Sequence, residues 1–206
     1  MEKFLALPKE KQNNIIEAGF LCFGKMGYKK ASASDIASAA GISKGMIFHY
    51  FGSKKAMYLY LGNVAYTEMI SVFEHEFTPC ITDFFDRVMA AVRCKIAALK
   101  KHPSLMTFIT SIYFETDSSV RTELQELKKK GEEFRVNLAL SDIDVKKFKD
   151  TVRPELVLNL LTKYSEGVAG AMVMVPGVEI DIDSIMEEFT ECLIMIKNNF
   201  YKEEYL

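Results

Sequence analysis

The chain has 206 residues, 49 % of them hydrophobic and 26 % charged, with a formal net charge of −2. A chain of this length buries roughly 70 % of the surface its unfolded form exposes, so it can fold without a metal or a disulfide. Its four cysteines, Cys22, Cys80, Cys94 and Cys192, never fall at a C-x-x-C spacing, which sets aside disulfide frameworks and structural zinc sites.

The opening "MEKFLALPKEKQ" carries charges where a signal peptide needs an apolar core, and no later stretch reaches the apolar length of a membrane span. With reduced thiols, this places the protein in the cytoplasm and away from membranes. Ile15, Ala18, Gly19, Cys22, Phe23 and Met26 recur at i, i+3, i+4, i+7, i+8 and i+11, the stripe of a first helix that Gly27 is expected to end. In "ASASDIASAAGISKG", Ser32 and Asp35 have the spacing of a capping box at the start of a second helix with Ile36, Ala37 and Ala40 inward. Gly41 supplies the left-handed residue that closes that helix, and Ile42 turns inward. Ser43 caps a third, short helix seated by Ile47. Ser53 then caps a long helix marked by Met57, Leu61, Ala65, Met69, Val72 and Phe73.

Phe85, Met89, Val92, Ile96 and Leu99 mark the next helix, stopped at "KKHPS" because Pro103 disfavours helix at His102. Helices over 104–114 and 118–138 follow, and "LSDIDVKKFKDTVRP" reads as a long connection. Two final helices, 153–175 and 184–201, flank "PGVEIDID". No β alternation, repeat or low-complexity tract interrupts the pattern. The expected fold is all-α.

Charge divides the chain unevenly. Residues 1–62 hold nine lysines and no arginine against four acidic residues, a balance of +5, which leaves −7 for the remainder. A basic head on an acidic body points to a polyanion bound at one end. Two helices joined by a Gly-containing turn of about three residues form a helix-turn-helix, whose second helix enters the DNA major groove. Ala37 suits such a unit because the second helix crosses close above it. The residues nearest base edges are then Ser43, Lys44, Gly45 and Met46, while His49, Tyr50 and Lys54 can donate to phosphate.

The segment "GYKKASASDIASAAGISKGMIFHYFGSKKAM" resembles the N-terminal domain of the TetR (tetracycline-repressor) family of transcriptional regulators, over residues 9–61. The resemblance implies three DNA-binding helices followed by a six-helix body that binds ligand and dimerises. It also implies DNA contact at Ser32, Ser43, Lys44, Gly45, His49, Tyr50 and Lys54. Met46 stands where a small hydroxyl residue is common and Phe48 where tyrosine is usual, so both are retained as contact positions whose chemistry has changed. The domains expected are a DNA-binding head over 1–52 and a body over 53–206.

In the body, methionine and aromatic side chains crowd the helices, and the family likeness implies a pocket among them. Met89, Phe108, Tyr113 and Tyr164 are the positions expected to touch a small-molecule effector. On the last helix Phe189, Leu193 and Ile196 lie on an apolar stripe expected to pair with a second copy, since a helix-turn-helix reader works on a palindromic duplex as a symmetric pair. No nucleophile–base constellation, phosphate-cradling loop or metal-ligand spacing appears, so neither enzyme chemistry, cofactor nor metal is expected. The function expected is a homodimeric repressor of double-stranded DNA released by a small molecule. A helical protein-interaction module or a small helical enzyme without a recognisable motif are the rival readings.

Overall fold

The computed structural model describes residues 1–77, 80–174 and 181–206, with 171–174 as backbone only. Among them are ten α-helices: α1 (Glu2–Leu5), α2 (Lys9–Lys30), α3 (Ala33–Ala39), α4 (Lys44–Phe51), α5 (Lys54–Glu76), α6 (Phe84–Lys101), α7 (Pro103–Phe114), α8 (Arg121–Leu140), α9 (Pro154–Met174) and α10 (Ile182–Phe200). No strand forms among the described residues; Phe148 and Tyr201 share one isolated antiparallel bridge. The all-α expectation therefore holds. Ser53 caps α5 as expected, accepting from the Ala56 amide at 3.0 Å. Pro103 sits in the first turn of α7, where its missing N–H leaves no bond unmade.

Two local features differ from expectation. Gly27, at φ +71°, kinks α2 rather than ending it, and one more turn continues to Lys30. The short α1 has no counterpart in the pattern because four residues carry no periodicity. The expected end of the ninth helix at Val175 lies outside the described residues.

By packing, the chain divides into two units, Met1–Glu74 with Ala97–Gly131 and His75–Ile96 with Glu132–Leu206. The boundary expected after residue 52 is not where this division falls. The core under the head continues through Met57, Tyr58, Leu61 and Ala65 to Leu105, Phe108, Ile112 and Leu124, so α5, α7 and the start of α8 belong with it. Helix α2 approaches α7 so closely that a Cβ at Gly24 would stand 3.0 Å from the Phe108 backbone nitrogen. Phe108 itself is fully buried, with Phe20, Phe23 and Tyr58 rings at 5.0, 6.3 and 5.5 Å. In the structure it packs among these rings, away from solvent, rather than lining an open recess.

In the second unit Phe84, Phe85, Phe148, Val157, Leu161, Phe189, Leu193 and Tyr201 form the core. Phe189 and Leu193 are each 4 % exposed, so in the single chain the stripe they mark packs inside the second unit. Ile196, half-buried, packs against the same core. The apolar side chains left outside are others: Leu156 and Leu160 on α9, Ile194 and Met195 on α10, all more than half exposed.

Candidate nucleic-acid interface

The turn between α3 and α4 is built by backbone bonds that the sequence makes possible. Ser32 caps α3 in a full capping box: its hydroxyl accepts from the Asp35 amide at 3.2 Å, and the Ser32 amide donates to Asp35 Oδ2 at 3.0 Å. The Ser32 hydroxyl also donates to Asp35 Oδ2, and these bonds hold the Asp35 carboxyl below its ordinary value. At the other end the Ile42 amide donates to the Ala37 carbonyl at 2.9 Å and the Gly41 amide to that of Ser38 at 3.2 Å. With Gly41 at φ +67°, this is a Schellman closure, which satisfies carbonyls that the helix end would orphan. Ile36, Ala37 and Ile47 are buried beneath it, so the angle between the helices is set by packing.

Helix α4 has two distinct faces. Ile47, Tyr50 and Phe51 point into the core. Ser43, Lys44, Gly45, Phe48 and His49 are exposed, and the spacing 44, 45, 48, 49 puts the last four on one strip. The Ser43 hydroxyl makes no capping bond and remains available. Phe48 is 42 % exposed, a large apolar ring held out into water.

The structure does not bring every expected residue to this strip. Met46 is half-buried and packs against the core. Tyr50 is buried, edge-on to the Phe4 ring at 6.1 Å. Ser32 is half-buried and already engaged in its cap. Lys54 is the clearest departure, since its ammonium donates to the carbonyls of Tyr28 at 2.8 Å, Ala31 at 3.1 Å and Lys29 at 3.4 Å. It also lies 4.5 Å from the Tyr28 ring centroid. All three of its protons face the end of α2, so a phosphate contact is not what holds it there.

Two contributors escape the motif. Phe4 in α1 is fully buried, with Phe51 at 4.8 Å and Tyr60 at 5.5 Å, and so wedges α4 from behind. Gln12 fixes the turn after α1 by donating to the carbonyls of Leu5 and Leu7. The apolar Phe4, Leu5 and Leu7 were the only available signal. Lys29 and Lys30, exposed at the end of α2, add positive charge to the head, whereas Lys55 is paired to Glu123 at 2.6 Å.

The four residues expected to meet an effector are divided between the two units. Phe108 and Tyr113 belong to the first unit, Met89 and Tyr164 to the second. Tyr164 donates to Glu188 Oε1 at 3.0 Å and stacks on Phe189 at 5.8 Å, linking α9 to α10. Among the described residues no three potential metal ligands come together, and no helix is long and apolar enough to cross a membrane.

Residues 15–61 match the family described as bacterial regulatory proteins, tetR family. The HTH-type transcriptional repressor AcnR of Corynebacterium glutamicum is 34 % identical over 65 residues, which cover 32 % of this chain and 35 % of that protein. The match thus spans about a third of the curated relative's length. Over nearly the whole chain the fold is that of solved regulators. A TetR family regulator from Chloroflexus aurantiacus aligns at TM-score 0.70 and 17 % identity, covering 98 % of this chain and 99 % of that one. FadR from Bacillus subtilis, solved in complex with stearoyl-CoA, aligns at TM-score 0.69 and 16 % identity, covering 88 % and 97 %.

Proposed function

We propose that this chain, a member of the TetR family, is a homodimeric repressor that binds a palindromic operator through α4 and is released by a small molecule bound in its body. The observation that carries the reading is the exposed strip of Lys44, Gly45, Phe48 and His49, with the free Ser43 hydroxyl, on a short helix locked by a Schellman turn. Lys44 reaches phosphate or a guanine edge, Gly45 lets the backbone approach the duplex, and Phe48 suits a thymine methyl. Lys29 and Lys30 supply further phosphate contacts. Half-sites one helical turn apart require two such heads, and the exposed leucines of α9 with Ile194 and Met195 of α10 supply an apolar surface for a symmetric pair. The stearoyl-CoA held by one structural neighbour supports a body that takes small molecules. Such a ligand lowers operator affinity only by binding better to a state in which the heads are wrongly spaced. The cytoplasm is the compartment that this role and the free thiols suit.

The test is affinity for a duplex selected from a random pool, and for a scrambled duplex, across a salt series. About six to ten phosphates neutralised per dimer give a slope of log affinity on log salt of roughly −5 to −9. Lys44→Ala should weaken both duplexes and flatten the slope by about two units per dimer. Phe48→Ala should change base preference and leave the slope nearly unaltered. Salt-independent binding, or equal affinity for selected and scrambled DNA, would refute the reading.

A further inference from the structure

Helix α4 is eight residues long, Ser43 lends it no side-chain capping bond, and Gly45 with the consecutive rings Phe48 to Phe51 gives it poor helix propensity. A helix this short is marginal in water on its own, so the direction of its exposed strip depends on what supports it. Beside α3 the support is the packing of Ile47 with Ile36 and Ala37, all buried. Over the last turn of α4 the support is Phe4 of α1, a fully buried ring that precedes the family-matched residues 15–61.

Three rings from three elements meet where α4 gives way to α5. Between ring centroids, Phe4 stands 4.8 Å from Phe51 of α4 and 5.5 Å from Tyr60 of α5, and Phe51 and Tyr60 are 5.7 Å apart. Ring pairs at such spacings are attractive and directional. A second path runs from the same ring to the exposed strip. Phe4 meets Tyr50 edge-on at 6.1 Å, and Tyr50 meets the exposed His49 edge-on at 5.8 Å. The four-residue α1 is too short to fix Phe4 unaided. Gln12, 5 % exposed, does so by donating to the Leu5 and Leu7 carbonyls at 3.1 and 2.8 Å.

We propose that Phe4 is a positioning residue for DNA recognition. It sets the tilt of α4 through Phe51 and Tyr60, and the seat of His49 through Tyr50, so that the strip of residues 44, 45, 48 and 49 meets base edges in register. Attraction of lysines to phosphate tolerates a change of tilt, whereas hydrogen bonds and methyl contacts at base edges do not. Lys29 and Lys30 stand on α2, outside the ring cluster, so loosening α4 costs base reading and spares their phosphate contacts. The inference rests on the proposed reading of DNA by α4 and adds to it a determinant of specificity that never touches the duplex.

The test uses the full-length protein with the selected and scrambled duplexes. Phe4→Ala should weaken the selected duplex about tenfold, the scale of one lost base contact, and change the scrambled duplex less than about twofold with the salt slope unaltered. A merely structural loss would instead weaken both duplexes alike, by the fraction unfolded. In a double-mutant cycle on the selected duplex, Phe4→Ala with His49→Ala should lose about threefold less than the product of the single losses, or less still. Phe4→Ala with Lys29→Ala should match that product within about twofold. Without DNA, amide exchange over residues 47–51 should quicken in Phe4→Ala while Ile36 and Ala37 keep their protection. If Phe4→Ala does not fold, Phe4→Leu, which keeps most of the apolar volume without the ring, carries the same expectations. Equal loss on both duplexes, undiminished selected-duplex affinity in a folded variant, or additivity with His49→Ala overturns the role of Phe4. The two readings fail separately. A wild-type protein that does not distinguish the duplexes refutes operator reading by α4, while faster exchange confined to 47–51 keeps Phe4 as the support of that helix. A discriminating wild type whose Phe4 variants discriminate equally well retains the operator reading and refutes the positioning role.

Discussion

A lysine ammonium has three protons to donate, and Lys54 directs all of them at the last carbonyls of α2. The kink at Gly27 makes those carbonyls hard to satisfy within the helix, and a cation at a helix C-terminus also complements the dipole. Its position in the family motif pointed to phosphate, because residue type and spacing are legible in a sequence but the direction of a flexible side chain is not. Lys54→Met should therefore lower the denaturant midpoint by the equivalent of about 1–2 kcal/mol with the m-value unchanged. An unaltered midpoint with a salt slope flattened by about two units would return Lys54 to the phosphate contacts. Base reading is constrained by another residue-level fact: the first arginine in the chain is Arg87, outside the head. In the proposed contact the head therefore offers no bidentate arginine grip on guanine, and with Met46 half-buried the apolar contact is assigned to Phe48.

At the scale of elements, Asp83 ties three segments together. It caps α6 by accepting from the Phe85 and Asp86 amides at 3.0 and 3.2 Å, and it accepts from Lys147 at 2.8 Å and Lys197 of α10 at 3.5 Å. Burial alone would raise its pKa, but the Lys147 bond, the amides and the Lys197 charge outweigh it and hold the carboxyl below the ordinary range. The stabilisation is therefore complete above the unfolded aspartate value, about 3.9, and is lost as pH falls through the depressed folded value. Asp83→Asn should cost about 3 kcal/mol at neutral pH, because it leaves two lysines facing a neutral amide. The variant's stability should also decline less than wild type's between pH 4 and pH 2, which denaturant midpoints across that range would measure. An equally steep acid decline would move the sensitivity to another carboxylate. Nothing in "LSDIDVKKFKDTVRP" announced that Lys147 would reach Asp83, since the contact joins residues far apart in the chain. The caps at Ser32 and Ser53 and the turn at Gly41 were legible because their chemistry is local.

For the whole molecule, the assembly depends on which apolar residues remain uncovered once each unit has packed. Periodicity could identify the stripes of α9 and α10 but not which side of each is covered. Phe189 and Leu193 face inward, leaving Leu156, Leu160, Ile194 and Met195 outside. Gly167, seven residues after Leu160 and so on the same face of α9, would meet nothing within 4 Å if it carried a Cβ, which leaves room for a close helix approach. These faces are proposed to pair in a symmetric four-helix contact, in which each copy's Leu160 is withdrawn from water. Leu160→Glu would then bury two unpaired carboxylates per dimer, enough to outweigh the gain from an interface of ordinary size. Because Leu160 is more than half exposed in the single chain, the same change should leave monomer stability within about 0.5 kcal/mol. Leu193→Glu should behave differently and unfold the second unit, since that side chain is 4 % exposed. Sedimentation should find Leu160→Glu as a folded monomer with helical content intact, and operator affinity should fall by the loss of the second head. A Leu160→Glu variant that sediments as a dimer and binds the operator normally would put the contact on another face.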